Sequence, residues 1–292
     1  MNEVRFSRIS KRFLRVWQRN LTVYRKIWKV VFLPPLLEPL LYLAAFGVGL
    51  SVLIGTVRYG RAEVSYISFI APALIAVNIM YSAFFENTYA SFVRLYYQKT
   101  FDAMMATPLC LEEIMTGEIV WAATKAVVAT AIMQGVISLF GLIHYPEGLL
   151  ILPLAFLGGV AFGSIGLFFT GTVRAIEMFN LPIFLFITPM FLFGGTFFPL
   201  ENLPGWAQKV AMIFPLTHLV MLARSLAFGA LSLGLLWHLA YLLLFSAAFF
   251  FLALTAMHRS FRGLNDMCAS IYAGIAARVE ATALRSGDPE AS

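Results

Sequence analysis

The chain has 292 residues, of which 60% are hydrophobic and 12% charged. Ordinary globular domains carry about 25% charged residues, so this composition argues against a soluble enzyme or binding module. Apolar runs of about 20 residues recur, which predicts an all-α polytopic membrane protein rather than a β-barrel of short alternating segments.

The formal net charge is +6, and nine of the 21 Lys and Arg residues fall within the first 29 positions. By the positive-inside rule that end is expected in the cytoplasm. Attraction to anionic lipid headgroups accounts for the basic patch. No nucleic-acid-binding motif accompanies it, so no nucleic-acid partner is expected. No short apolar core with a small-residue cleavage site follows, so no signal peptide is expected. Residues 1–29 form a first unit. Phe6, Ile9, Phe13, Trp17, Leu21, Tyr24 and Trp28 recur at three- and four-residue steps with cations between them. That pattern predicts an amphipathic interface helix lying along the inner leaflet, with a helix packed on the protein itself as the alternative.

Residues 30–258 are expected to form one transmembrane domain of six spans. The first, about 31–55, contains Pro34, Pro35 and Pro39 and should be bent at its entry. Glu38 sits beside them and either faces a polar cavity, pairs with a cation or snorkels to the interface. Arg58, Arg61 and Glu63 mark a short outer loop. The second span, about 64–91, gathers Asn78, Ser82, Glu86, Asn87, Thr88 and Ser91 toward its inner end. Glu86 points either into the bundle or to the headgroups.

Next comes the longest polar interruption, Arg94 to Glu118, with six charged residues: Arg94, Lys99, Asp102, Glu112, Glu113 and Glu118. Burying so many charges in hydrocarbon is costly, so the stretch is expected in water at a membrane face. Leu95, Phe101, Met104 and Met105 lie at roughly helical spacing until Thr107-Pro108 breaks the run. This predicts a short amphipathic helix that either docks in a groove of a partner or serves as a surface linker.

The third span is about 119–142, with Lys125 expected to snorkel to the interface. A very short outer loop at His144–Glu147 leads to the fourth span, about 149–172. There Gly159 and Gly163 make a GxxxG match that favours close helix packing. Arg174 and Glu177 occupy a short inner loop before a fifth span, about 178–198, interrupted by Pro182 and Pro189. The apolar stretch Phe197–Leu219 is cut by Pro199, Pro204, Gly205 and Pro215 into pieces too short to cross a bilayer. It predicts two short re-entrant outer helices between spans five and six, with Trp206 as an interfacial anchor. The last span, about 233–257, ends at the basic stop His258, Arg259 and Arg262. Residues 259–292 form a cytoplasmic tail. Leu264, Met267, Ile271, Ile275 and Val279 suggest one more short helix before a disordered SGDPEAS end.

No HExxH, GxSxG or P-loop motif is present, and the four histidines are scattered. Cys110 and Cys268 lack metal-ligand spacing and both fall in segments expected in the cytoplasm, so neither metal nor disulfide is expected. The chain is therefore expected not to be an enzyme. A secondary transporter would want intramembrane ionisable pairs and inverted repeats, and the sequence suggests neither.

The run Thr88–Ala126, TYASFVRLYYQKTFDAMMATPLCLEEIMTGEIVWAATKA, resembles the central segment of ABC-2 type export permeases. The stretches ITPMFLFGGTFFPLENLP (Ile187–Pro204) and FPLTH (Phe214–His218) match the same family. The likeness runs from about Arg19 to Arg262. It is greatest to the nodulation-factor, or lipo-chitooligosaccharide, export permeases, with capsule and O-antigen polysaccharide permeases further off. The resemblance implies a coupling helix within Arg94–Leu111 that plugs into an ATP-hydrolysing subunit, with Arg94, Gln98, Lys99, Phe101, Asp102, Met105 and Pro108 as its contact set. It implies two ATPase copies, a homodimer of this chain, and no cofactor here, since ATP and Mg belong to the partner. It places the protein in the inner membrane with both termini cytoplasmic, moving an amphipathic glycolipid or polysaccharide. Export of a hydrophobic drug or other lipid is the alternative. Glu38 and Glu86 are candidate pathway or gating groups, and Pro199, Pro204, Trp206 and Pro215 belong to the outer re-entrant helices. The tail beyond Arg262 is longer than the family leads one to expect.

Overall fold

A computed structural model describes residues 10–59 and 62–286. The start of the expected interface helix, with Arg5, Phe6, Arg8 and Ile9, lies outside the described residues, as do Arg61 and residues 287–292. The chain opens with α1 (Phe13–Tyr42), which continues through a π-helical stretch, Leu43–Leu50, into α2 (Ser51–Ile54). The segments Phe13–Lys29 and Leu33–Gly47 meet at 59°. Pro34 and Pro35 stand at the first turn after this bend, where amide donors lack in-helix acceptors and proline costs least. The expected interface helix and first span are thus one bent helix.

A two-stranded antiparallel hairpin follows, β1 (Thr56–Tyr59) on β2 (Ala62–Ser65), with Thr56 opposite Ser65 and Arg58 opposite Glu63. The sequence suggested only a loop here. Ser65 then caps α3 (Tyr66–Phe85), its hydroxyl accepting from the Ser68 amide at 3.3 Å. Two π-helical turns, Glu86–Ala90 and Val93–Tyr97, carry this helix to Tyr97. It therefore outruns the expected second span by about a turn and a half and takes Arg94 with it. Lys99, in the left-handed conformation at φ 51°, breaks the helix. The short α4 (Thr100–Met105) and the long α5 (Leu111–Leu139) follow. A capping box starts α5, with the Cys110 amide donating to Glu113 Oε2 at 3.0 Å.

After the turn at His144–Glu147 comes α6 (Ile151–Thr170). The next apolar segment is broken into α7 (Asn180–Pro182), a π-helical turn and α8 (Thr188–Phe193). α9 (Gly205–Ala211) and α10 (Pro215–Ala227) are bent by 88° relative to each other, as the proline punctuation predicts for two short helices. α11 runs from Leu235 to Ser286 without interruption. The expected separate tail helix is instead a continuation of the last span.

Among the described residues, five helical segments are long and apolar enough to cross a membrane: Tyr66–Tyr97, Leu111–Leu139, Glu147–Thr170, Ile176–Phe193 and Leu235–Phe261. Counting each bent pair as one span raises the number to seven, and the expected six lies in that range. α3 is the central helix, buried along most of its length by α5, α6 and α10. α6 touches α3, α5 and α11. Glycine permits this closeness: a Cβ on Gly159 would lie 2.6 Å from Ala123 Cα, and one on Gly166 would lie 2.7 Å from the Phe84 carbonyl oxygen. The GxxxG match thus serves packing within the chain.

Candidate functional site: a buried charge cluster beneath an exposed helical turn

At one end of the bundle the segment Tyr97–Pro108 projects outward. Gln98, Lys99, Asp102, Ala103, Ala106, Thr107 and Pro108 are exposed, and Tyr97 is 67% exposed. The projection is held from below. Phe101 is fully buried and stacks on Phe261 at 6.5 Å, within a cluster that includes Val16, Leu95, Ile114, Met115 and Met257. Met105 is half-buried against the same cluster. The start of the chain grips the far side: Arg12 Nη1 donates to the Pro108 carbonyl at 2.8 Å, and the Ser10 hydroxyl meets Glu113 Oε1. His258 on α11 lies 3.3 Å from Glu112 Oε1.

The expectation that all of Arg94–Glu118 sits in water is corrected here. Only its middle does. Arg94, Glu112, Glu113 and Glu118 are folded into the protein, and Glu118 has no exposed surface. Hydrocarbon would reject these charges, but protein supplies partners. Arg94 Nη1 lies 3.1 Å from Glu86 Oε1, and its Nη2 lies 2.5 Å from Glu118 Oε2. Lys125 Nζ meets Glu86 Oε2 at 2.8 Å, and the Trp121 indole donates to Glu86 Oε1 at 3.0 Å. Glu118 also accepts from Asn20 Nδ2 and from the Ser91 hydroxyl, each at 2.9 Å. Two carboxylates thus face two cations, so the cluster is neutral and its oxygens are satisfied.

Of its two readings, Glu86 takes the one that points into the bundle. Two further expectations change. Lys125 does not snorkel; it pairs with Glu86. The inference that the spans hold no ionisable pair fails, because α3 and α5 carry this cluster between them. Of the seven expected contact residues, Arg94 and Phe101 face inward, Met105 is half-buried, and Gln98, Lys99, Asp102 and Pro108 face out.

Beyond the cluster lies a cavity of about 510 Å³ between α1, α3 and α5. Glu86 and Lys125 form one part of its wall and Glu38 another. Glu38 accepts from Asn78 Nδ2 at 3.2 Å, so of its three readings the polar cavity holds. Tyr81, Phe85 and Tyr89, one turn apart on α3, add an aromatic stripe with successive centroids 5.5 and 5.9 Å apart.

At the opposite end, Pro199 precedes a single 3-10 turn, Pro204 precedes α9, and Pro215 opens α10. Trp206 is 68% exposed on α9. Two features there escaped sequence reasoning. Arg224 is buried, donating from Nε to the Phe69 carbonyl at 3.1 Å and from Nη2 to the Gly195 carbonyl at 3.0 Å. Its guanidinium carbon lies 3.7 Å from the Phe69 ring centroid. His218 and His238 face each other, Nδ1 to Nδ1, at 2.7 Å. His218 Nε2 lies 2.9 Å from the Met212 carbonyl and must donate to it, so in the neutral pair His238 Nδ1 is the donor. An arginine in the last turn of a largely apolar helix was the available signal for the first; two histidines twenty residues apart gave none for the second.

Among the described residues no group of three or more His, Cys, Asp or Glu could hold a metal ion. The cluster places no nucleophile beside a free base; what it can do is transmit displacement between the exposed turn and the cavity wall.

The ABC-2 type transporter family matches residues 11–228. The chain is 35% identical over 250 residues to Nodulation protein J of Rhizobium leguminosarum bv. trifolii, covering 86% of this chain and 94% of that protein. It is 33% identical over 247 residues to Nodulation protein J of Rhizobium meliloti (strain 1021), covering 85% and 93%. It is 24% identical over 252 residues to the inner membrane transport permease YadH of Escherichia coli (strain K12), covering 86% and 96%. With its apolar spans and a family match over residues 11–228, the chain belongs to the ABC-2 type transporter family, as a multi-pass transmembrane permease.

Proposed function

We propose that the protein is the permease half of an ATP-driven exporter that moves an amphipathic glycolipid, lipo-oligosaccharide or polysaccharide across the inner membrane. Two copies of the chain assemble as a homodimer with two ABC ATPase subunits. ATP and Mg are bound by the ATPases, and this chain needs no cofactor. Both termini and the Tyr97–Pro108 turn face the cytoplasm.

One observation carries this reading: the exposed turn is joined to the cavity through fixed, buried contacts. Asp102, Lys99 and Gln98 offer an outward polar face of the kind a partner's groove can take. Movement of that face pulls on the end of α3, and with it on Arg94, Glu118, Glu86 and Lys125. Lys125 and Glu86 line the cavity that Glu38 also lines. Nucleotide-dependent closure of the ATPases then biases the bundle between two states.

The cavity's lining of tyrosines, two carboxylates, an amide and an ammonium suits a hydroxylated headgroup better than a purely apolar drug. The likeness to proteins named Nodulation protein J also favours a lipo-oligosaccharide. The test is to co-express the chain with an ABC ATPase from its own gene neighbourhood and assay inverted membrane vesicles. We expect co-purification and ATP-dependent uptake of an acylated oligosaccharide. Uptake driven by a proton gradient without ATP would instead make it a secondary transporter.

A further inference from the structure

A second cavity, of about 1000 Å³, opens at the same end of the bundle as the exposed turn. Its walls come from three places: Tyr96 and Lys99, the loop Gly171–Arg174 after α6, and the stretch of α11 from Leu252 to Ser260. Lys99, Arg174 and Arg259 are its cations, and all three are exposed. No Asp or Glu is among the lining residues. Among the described residues none of the three cations forms an ion pair, although the neighbouring Arg94 and Lys125 both do.

The polarity of the cavity is graded along α11. Arg259 is followed one turn deeper by Thr255 and about two turns deeper by Leu252, a drop of roughly 10 Å at 1.5 Å per residue. Phe168 on α6 lies alongside. Beside the cavity the end of α6 packs tightly on α11, because Gly171 lies against its backbone: a Cβ there would lie 2.8 Å from the Met257 amide nitrogen. Cations at the mouth, hydroxyls below and an apolar wall beneath them follow the order of phosphate, glycerol and acyl chain in a phospholipid.

We infer that this cavity binds an anionic phospholipid, with the phosphate among Lys99, Arg174 and Arg259 and an acyl chain against Phe168 and Leu252. Because Lys99 is also the residue that breaks the helix before α4, the lipid ties the exposed turn to the membrane surface. The inference rests on the membrane placement of the bundle and not on the exported substrate; Lys99 is shared with the face proposed to meet the ATPase, so the test is read on Arg174 and Arg259.

The test uses the purified full-length chain in detergent, incubated with phosphatidylglycerol or phosphatidylcholine, with retained lipid counted by native mass spectrometry. Each cation near an anionic headgroup contributes roughly a fivefold preference. The double variant Arg174→Gln/Arg259→Gln should lose about tenfold or more of its phosphatidylglycerol retention, with phosphatidylcholine unchanged and the unfolding midpoint unmoved. The single variant Arg259→Gln, at an exposed position, gives the same direction if the double variant folds poorly. Millimolar inorganic phosphate should not displace the lipid. Equal retention by wild type and variants overturns the proposal. Displacement by phosphate alone overturns it in favour of a free-anion site, and complete displacement by an added ABC ATPase overturns it in favour of a protein interface.

Discussion

Arg94, on the last turn of the α3 extension, reaches Glu118 on α5 at 2.5 Å, and the carboxylate it meets has no exposed surface. The pair closes a gap between two helices that the exposed turn would otherwise hinge apart. Breaking one partner of a buried ion pair leaves the other charge desolvated, at a cost of about 3–5 kcal/mol, whereas replacing both by apolar groups is often nearly neutral. Glu118→Ala should therefore lower the unfolding midpoint sharply. The double variant Arg94→Met/Glu118→Leu should be more stable than Glu118→Ala alone. Thermal unfolding in detergent decides this, and simple additivity of the two single losses would remove the pair from the account.

Asp102 and Phe101 are neighbours with opposite duties. Asp102 faces out, whereas Phe101 is anchored against Phe261. Asp102→Arg should leave stability within about 0.5 kcal/mol of wild type while abolishing retention of the ATPase subunit in a pull-down. Phe101→Ala should cost about 3–5 kcal/mol of stability, and its effect on coupling should follow from a loosened turn. An unfolded Asp102→Arg protein beside a fully stable Phe101→Ala protein would reverse the assignment of faces.

Local pattern carried much of this architecture. The proline spacing around Pro204 and Pro215 announced two short helices, and they meet at 88°. The prolines of α1 announced a bent entry, and the apolar runs announced the spans. The charge cluster was not legible, because Asn20, Glu86, Arg94, Glu118 and Lys125 come from three helices and no spacing in the chain encodes their meeting. Counting charges in Arg94–Glu118 measured the cost of putting them in hydrocarbon; it could not reveal that the protein itself would supply counter-charges. The β1–β2 hairpin was missed for another reason: each strand is four residues long, too short for alternation to stand out.

Glycines in the spans divide into those that allow contact and those that do not. On Gly159 a methyl group would press on the α5 backbone at Ala123, 2.6 Å away. On Gly135 it would meet nothing within 4 Å. Gly159→Ala should destabilise by roughly 1–3 kcal/mol through overpacking. Gly135→Ala should be neutral or stabilise by about 0.5–1 kcal/mol, since alanine is the better helix former. Unfolding midpoints of the two variants, measured side by side, test the helix contact that the GxxxG match predicted.

Arg224 poses the sharpest case at the far end of the bundle. Its guanidinium fork bridges the Phe69 carbonyl on α3 and the Gly195 carbonyl in the loop after α8, and its central carbon sits over the Phe69 ring. Gly195 adopts φ +73°, a conformation the bridge helps to hold. A lysine keeps the charge but has no planar fork to span both carbonyls, so it forfeits one charge-assisted hydrogen bond, about 1.5–3 kcal/mol, and still buries an ammonium. Methionine of similar reach loses both bonds but carries no charge to desolvate. The expected order of stability is therefore wild type, then Arg224→Met, then Arg224→Lys, the reverse of what charge conservation alone suggests. Hydrogen exchange at Gly194–Thr196 should rise in both variants, since the bridge that fixes that loop is gone. Protection unchanged there, or full rescue by lysine, would mean that the guanidinium's geometry does not hold α10 to the loop.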